Sequence, residues 1–252
     1  MTDVHCHVSC GDAAIREFLI GRDFVGVHPW RSEEVRIEND EWLDDLRAQL
    51  NVSSNSAASS HSQFSILTSE FSPGIGEIGL DRLKERTVSP KMRAVFVAQL
   101  ALAAEFRRPV VLHGAKCWGQ VIGEIKNLEF RIKNDNQTIK QSNNQTIPSF
   151  LFHGFSRSDG LLSDIVALNG FVSVGPAVLN DHAVNYRALV KKIPLDRLVV
   201  ETDRTPENAA TCPSVVEVAK KVAELRGLSL EELERVTDAN AARFTGMGQR
   251  GG

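Results

Sequence analysis

The sequence is poor in the features that would assign it to several large classes of protein. Its four cysteines, Cys6, Cys10, Cys117 and Cys212, form no C-x-x-C pair, so no small disulfide framework is written into the chain and reduced thiols are expected. No apolar run reaches about 18 residues, the length that crosses a bilayer as a helix, and no secretory pattern precedes His5. The expectation is an intracellular protein, cytoplasmic or nuclear, without membrane association, whose sequons at Asn51, Asn136 and Asn144 stay unmodified. An excess of basic residues is missing too. With 29 Lys and Arg against 32 Asp and Glu, the formal net charge is −3, which argues against broad electrostatic coating of nucleic acid. It does not exclude phosphate chemistry, because bound divalent cations bring positive charge that a residue count omits.

What the chain does have is length and apolar content. At 252 residues and 42% hydrophobic it can bury a large core, as one α/β barrel or as two small domains. We expect a single domain over residues 1–252, with polar surface insertions near 51–65, rich in Ser and Asn, and near 131–147, where Asn-Gln-Thr-Ile occurs twice.

Along the chain, strand-like and helix-like runs alternate. After a first strand at Val4, Asp12 reads as the cap of a short helix through Leu19, and Phe24-Val25-Gly26-Val27-His28 reads as strand. An acidic amphipathic helix follows over 41–50. Ile75 to Asp81 is strand, Ser89-Pro90 starts a helix with an N-cap and a proline at its first position, and Met92, Val95, Phe96, Leu100, Ala103 and Phe106 stripe one face of it. Pro109 to His113 is a nearly continuous apolar run, as in a parallel strand buried on both faces, and a helix over 118–128 follows. Later strands fall at 149–153, 171–174 and 197–203, with helices at 159–169, 181–192 and 213–226 and a last one opened by the capping box Ser229-x-x-Glu232. This order defines a parallel α/β architecture of about seven recognisable strands.

Two imidazoles two positions apart on a strand project from one face, so His5 and His7 can form half of a metal site. Alone the pair is weak evidence. His28, Glu77, His113, His153 and Asp203 also lie at carboxyl ends of strands, where a TIM-type (β/α) barrel gathers an active site from several strands. An open sheet usually concentrates its ligands at one switch point, so the barrel is favoured.

Asp3-x-His5-x-His7, Gly26-Val27-His28-Pro29-Trp30, Gly76-Glu77-Ile78-Gly79-Leu80-Asp81, the strand ending at His113, His153-x-Phe155-Ser156 and Glu201-Thr202-Asp203 together resemble the ordered signatures of the TatD family. Its members are metal-dependent hydrolases on a TIM barrel, related to amidohydrolases, and several are deoxyribonucleases. The resemblance implies two divalent ions per chain, Mg, Mn or Zn. His5, His7 and Asp203 would hold one, His113 and His153 the other, and Glu77 would bridge. Asp203 would orient or deprotonate the attacking water. It further implies that His28 faces substrate phosphate. Apart from the resemblance, Lys116, Arg157 and Arg204 follow strand ends and are additional candidate phosphate contacts. Asp3 and Asp81 would support ligating histidines from behind, or respectively start a strand and cap a loop. The implied substrate is DNA, cleaved at single-stranded ends; no protein partner is indicated. Hydrolysis of a small phosphoester, amide or lactone, or an impaired interaction protein, remain as alternatives. The chain departs from the family pattern in having room for one βα unit fewer between His7 and His28, and in Ala115, Arg157 and Arg204-Thr205-Pro206 beside the expected substrate shell.

Overall fold

Strand and helix alternate through the computed structural model, which describes residues 1–51, 73–134, 147–156 and 159–246. In chain order the elements are β1 (Thr2–Cys6), β2 (Arg16–Leu19), β3 (Phe24–Val25), α1 (Glu41–Asn51), β4 (Gly74–Asp81), α2 (Pro90–Phe106), β5 (Val110–Ala115), α3 (Trp118–Asn134), β6 (Phe150–Phe152), α4 (Leu162–Ala167), β7 (Gly170–Val174), α5 (Val184–Lys192), β8 (Leu198–Val200), α6 (Val215–Arg226) and α7 (Leu230–Thr245). The chain divides into two compact units, one made of Met1–Ile20 with Ser149–Gly252 and the other of Gly21–Pro148. Arg157 and most of both polar tracts lie outside the described residues.

In the second unit β3, β4 and β5 pair in parallel, Phe24 beside Gly74 and Ile75 beside Val110. All eight residues of β4 are buried, as expected of a strand covered on both faces. Helix α2 packs on it. Its start is written locally: Ser89 accepts from the Met92 N–H and Pro90 takes the first position, satisfying end groups that would otherwise lack partners. The expected stripe is core over most of its length, with Met92, Val95, Phe96, Leu100 and Ala103 buried and Phe106, at the helix end, half-buried, each large buried side chain adding roughly 1.5–3 kcal/mol. Helix α3 runs to Asn134, past residue 128 where the sequence suggests a stop, so positions 131–134 of the second polar tract continue a helix.

In the first unit β6, β7 and β8 pair in parallel. Phe150, Phe152, Phe155, Phe171 and Phe244 are fully buried there, and the rings of Phe171 of β7 and Phe244 of α7 stand 6.1 Å apart. The capping box at Ser229 forms as expected, and a second forms at Ser214 with Glu217.

The expected short helix from Asp12 to Leu19 is a correction. Asp12 makes only a turn, accepting from the Ala14 N–H at 2.9 Å, and Arg16–Leu19 is a strand paired in parallel with β1. A helix of one or two turns gains few internal bonds for its nucleation, whereas an extended segment there uses the open edge of β1. The described residues therefore hold eight strands rather than seven. What is short between His7 and His28 is helix: neither the link from β1 to β2 nor that from β2 to β3 contains one.

Gly79 shows how closely β4 and β5 approach at their carboxyl ends. It sits at φ 152°, and a Cβ there would lie 1.9 Å from the His113 carbonyl oxygen. Gly79→Ala should therefore lower stability by about 2 kcal/mol or more, while Gly123→Ala, in α3 with open space around it, should be neutral or stabilise by up to about 1 kcal/mol. Urea denaturation of both variants checks this contrast.

Candidate metal centre

The first unit gathers its polar residues where β1 meets the segment after β8. The Asp203 N–H donates to the His5 carbonyl at 3.0 Å, and the His7 N–H to that of Arg204 at 2.7 Å. Asp203 itself is left-handed at φ 50°, a conformation that costs a non-glycine residue energy and persists only when its surroundings fix it. The turn aims its carboxylate at the histidines. Asp203 Oδ1 lies 3.5 Å from His5 Nε2 and 3.6 Å from His7 Nε2, and Oδ2 lies 3.9 Å from His153 Nε2. The His5 and His153 rings stack with centroids 3.9 Å apart.

These spacings test whether a cation fits. Two ligands held at ordinary bond lengths around a tetrahedral zinc are about 3.4 Å apart, close to the separations of Asp203 from His5 and His7. Two imidazoles and a carboxylate are also a donor set that suits zinc and several other divalent ions.

Behind them sit two buried carboxylates. Glu201 accepts from the Gly154 N–H at 3.0 Å and lies 3.0 Å from His153 Nδ1, which leaves Nε2 of that ring turned toward Asp203, the arrangement carboxylates impose on ligating histidines. Asp3 accepts from the Thr202 N–H at 3.0 Å, the Thr202 hydroxyl at 2.6 Å and the His5 N–H at 3.3 Å. Its bond to His5 is thus to the main chain, not to the ring. Burial pushes the Asp3 carboxyl up to about 7 against the opposing pull of those hydrogen bonds. A cavity of 1180 Å³ adjoins the cluster, its wall including His153, Tyr186, Lys192, Glu201, Asp203 and Cys212.

The second unit builds its own cluster at the ends of β4 and β5. Glu77 Oε1 lies 2.6 Å from His113 Nδ1 and 3.7 Å from His28 Nε2, while His113 Nε2 lies 2.7 Å from Asp81 Oδ2. The shortest of these is a hydrogen-bond distance, below the roughly 3 Å that two ligands of one ion keep. Burial raises the Asp81 carboxyl, but bonds from His113, the Leu83 N–H and Trp30 outweigh it and hold it at about 2. Gln99 of α2 fixes the approach to His28, accepting from the Val27 N–H at 2.7 Å and donating to its carbonyl at 3.1 Å.

Of the residues singled out from sequence, His5, His7, His153 and Asp203 thus meet in one unit and His28, Glu77, Asp81 and His113 in the other. Arg204 directs Nη1 to the Ala209 carbonyl at 2.8 Å, bracing its own loop. Arg157 lies outside the described residues. Glu201, Thr202, Gln99 and Trp30 were not singled out as site residues; Glu201 carried a signal as a carboxylate directly after the apolar run Leu198-Val199-Val200, and Thr202 and Trp30 lie inside motifs quoted from the sequence, whereas Gln99 carried none.

A strand-ordered set of imidazoles and carboxylates on an α/β frame defines a class, the metal-dependent hydrolases, and the comparisons agree. A Bacillus subtilis protein named an uncharacterized metal-dependent hydrolase, YabD, is 26% identical over 227 residues, covering 87% of this chain and 75% of its own. The Klebsiella pneumoniae protein named 3'-5' ssDNA/RNA exonuclease TatD is 28% identical over 189 residues, covering 70% of this chain and 66% of its own. The chain thus spans about two thirds to three quarters of the length of these relatives. The crystal structure of a TatD homologue from Escherichia coli, YJJV, superposes with a TM-score of 0.64 at 20% identity, covering 94% of this chain and 78% of that one. One from Entamoeba histolytica, titled a TatD family hydrolase, gives 0.62 at 16%, with 92% and 75% covered. The fold is accordingly the expected α/β, TIM-type one. Residues 19–246 match the family model described as TatD related DNase, and the chain belongs to that family. His5 and His7 precede the matched stretch, so their meeting with Asp203 is a finding of the geometry. No helix among the described residues is long and apolar enough to cross a membrane.

The Asp3 environment gives a pH dependence with a definite sign. A carboxyl that titrates near 7 when folded and near 3.8 when unfolded binds more protons in the native state between those values, so stability falls as pH rises through the window. In metal-free protein, Tm measured from pH 4.5 to 7.5 should decline more steeply for the wild type than for Asp3→Asn, which keeps the side chain's shape without its titration. Parallel curves would sink this reading.

Proposed function

We propose that this protein is a divalent-metal-dependent deoxyribonuclease that hydrolyses phosphodiester bonds at single-stranded ends. The observation that carries the proposal is the spacing of His5, His7 and Asp203, which suits a divalent ion. The name of the Klebsiella relative, an exonuclease on single-stranded DNA and RNA, supports the choice of substrate. In this reading His5, His7 and Asp203 of the first unit, with His153 alongside, hold one cation, and Glu77 and His113 of the second serve another. Bound cations would supply Lewis acidity and bring the pKa of a coordinated water toward roughly 7.

The chain's own residues do the rest. The Asp203 carboxylate is half exposed, so it can orient a water and take its proton. Glu201 keeps His153 in one ring orientation and Asp81 does the same for His113. His28 presents its ring at the mouth of the second cluster, where its Nε2 can meet a phosphate oxygen once Glu77 is engaged elsewhere. A second reading, hydrolysis of a small phosphoester, amide or lactone, is favoured by the cavity beside Asp203 and by the slightly acidic charge balance.

End-labelled single-stranded DNA incubated with purified protein and Mg²⁺ or Mn²⁺ should release nucleotides. EDTA should abolish release, and Glu77→Gln should reduce it by at least the roughly 10- to 100-fold that follows loss of a ligand's supporting partner. Turnover of a small chromogenic ester with a kcat/KM orders of magnitude above that for DNA would transfer the assignment to the second reading.

A further inference from the structure

Trp30 is the large apolar side chain whose position the chemistry described so far leaves unexplained. It is 52% exposed, in the helical turn Pro29–Glu34 that follows His28. Scattered exposed apolar residues are ordinary, and Ile37, Phe130 and Val184 are examples here. Trp30 differs from them in being held. Its indole lies close enough to Asp81 to help hold that carboxyl low, and the same carboxylate lies 2.7 Å from His113 Nε2. Its ring meets that of His28 edge to face, with centroids 5.1 Å apart at 80°, and that of His113 at 6.5 Å and 70°. Its backbone N–H donates to His28 Nδ1 at 3.1 Å. Asp81 also holds the main chain of Leu83, accepting from its N–H at 2.5 Å, and Leu83 is another exposed large apolar residue at 52%. The ring therefore stands against the site imidazoles, while about half of the residue stays in water.

An electron-rich, half-exposed ring that meets the imidazoles of a candidate phosphodiester site suits one kind of occupant, a planar nucleobase. Stacking needs no sequence match, since every base has a π-face, and a ring already packed against His28 and His113 has less freedom to lose on binding. We propose that Trp30 is a stacking platform for the nucleobase adjoining the scissile phosphate. This rests on the nuclease reading, and makes the enzyme one that prefers base-bearing to abasic strands.

The test compares wild type, Trp30→Phe and Trp30→Ala on a single-stranded oligothymidylate and on an abasic oligonucleotide of equal length and charge. Trp30→Ala should lower the ratio of kcat/KM for the two substrates by roughly tenfold or more, chiefly through KM, while Trp30→Phe, which keeps a ring but loses the N–H, should keep most of the preference. Equal losses on both substrates, or equal effects of Phe and Ala, would mean that Trp30 acts by holding Asp81 and would overturn the proposal. A second readout does not need turnover: phosphorothioate oligothymidylate should quench tryptophan fluorescence of the wild type, its abasic counterpart should not, and the quenching should vanish in Trp30→Ala. Quenching without cleavage leaves the platform standing and removes the nuclease. Cleavage with no Trp30-dependent quenching or base preference removes the platform and keeps the nuclease, and absence of both removes the two together.

Discussion

One hydrogen bond, from the Asp203 N–H to the His5 carbonyl at 3.0 Å, sets the geometry on which the first unit's chemistry depends. It joins the strand that carries two imidazoles to the turn that carries the carboxylate, and it does so through main chain, which neither rotates nor titrates. The left-handed backbone at Asp203 then sends the side chain back across the His5 and His7 rings. Asp3 reinforces the join from below with three hydrogen bonds, two of them from Thr202. The cost of burying that carboxylate is visible in its raised pKa, so part of the folding energy is spent on holding the donor set in register.

The second unit solves the same problem differently. Its imidazole is gripped from both sides by carboxylates, Glu77 and Asp81, and the close approach that permits this exists because Gly79 lets β4 run against the His113 carbonyl. Gln99 offers Val27 a side-chain amide in place of a neighbouring peptide, which ends β3 and hands the chain to the turn bearing His28 and Trp30. Rigid strands thus carry the ligand candidates, and side-chain amides and carboxylates fine-tune them, as sites that must hold geometry require.

Much of this was legible in the residues. Strand ends marked by a histidine or carboxylate after an apolar run located the candidate ligands, because a residue closing a buried parallel strand is positioned by the strand alone. Ser89-Pro90 and the box at Ser229 marked helix starts for the same local reason. What could not be read depends on partners distant in sequence. Arg16–Leu19 has only Phe18 buried and becomes strand because β1 offers an edge, a fact absent from the segment itself. Gln99 sits in an apolar helical stripe, and nothing near it reveals that Val27 is its partner 72 residues away. Asp3 looked equally like a strand start and a support for histidine, and its actual donors include Thr202, 199 residues on. The expected loss of a strand became a loss of helices, since pairing with β1 decided the state of a segment whose own signals were weak.

The first unit's make-up, residues 1–20 together with everything from Ser149 onward, has a consequence for synthesis on the ribosome. Strand β1, with Val4, Cys6 and, in its neighbour, Phe18 all destined for burial, has no β8 or α7 to pack against until the residues up to those elements have been translated. The second unit is continuous and can condense in the meantime. The parallel pair of β1 and β2 therefore waits as exposed apolar surface, and the donor set at His5 and His7 is completed only when Asp203 has left the exit tunnel.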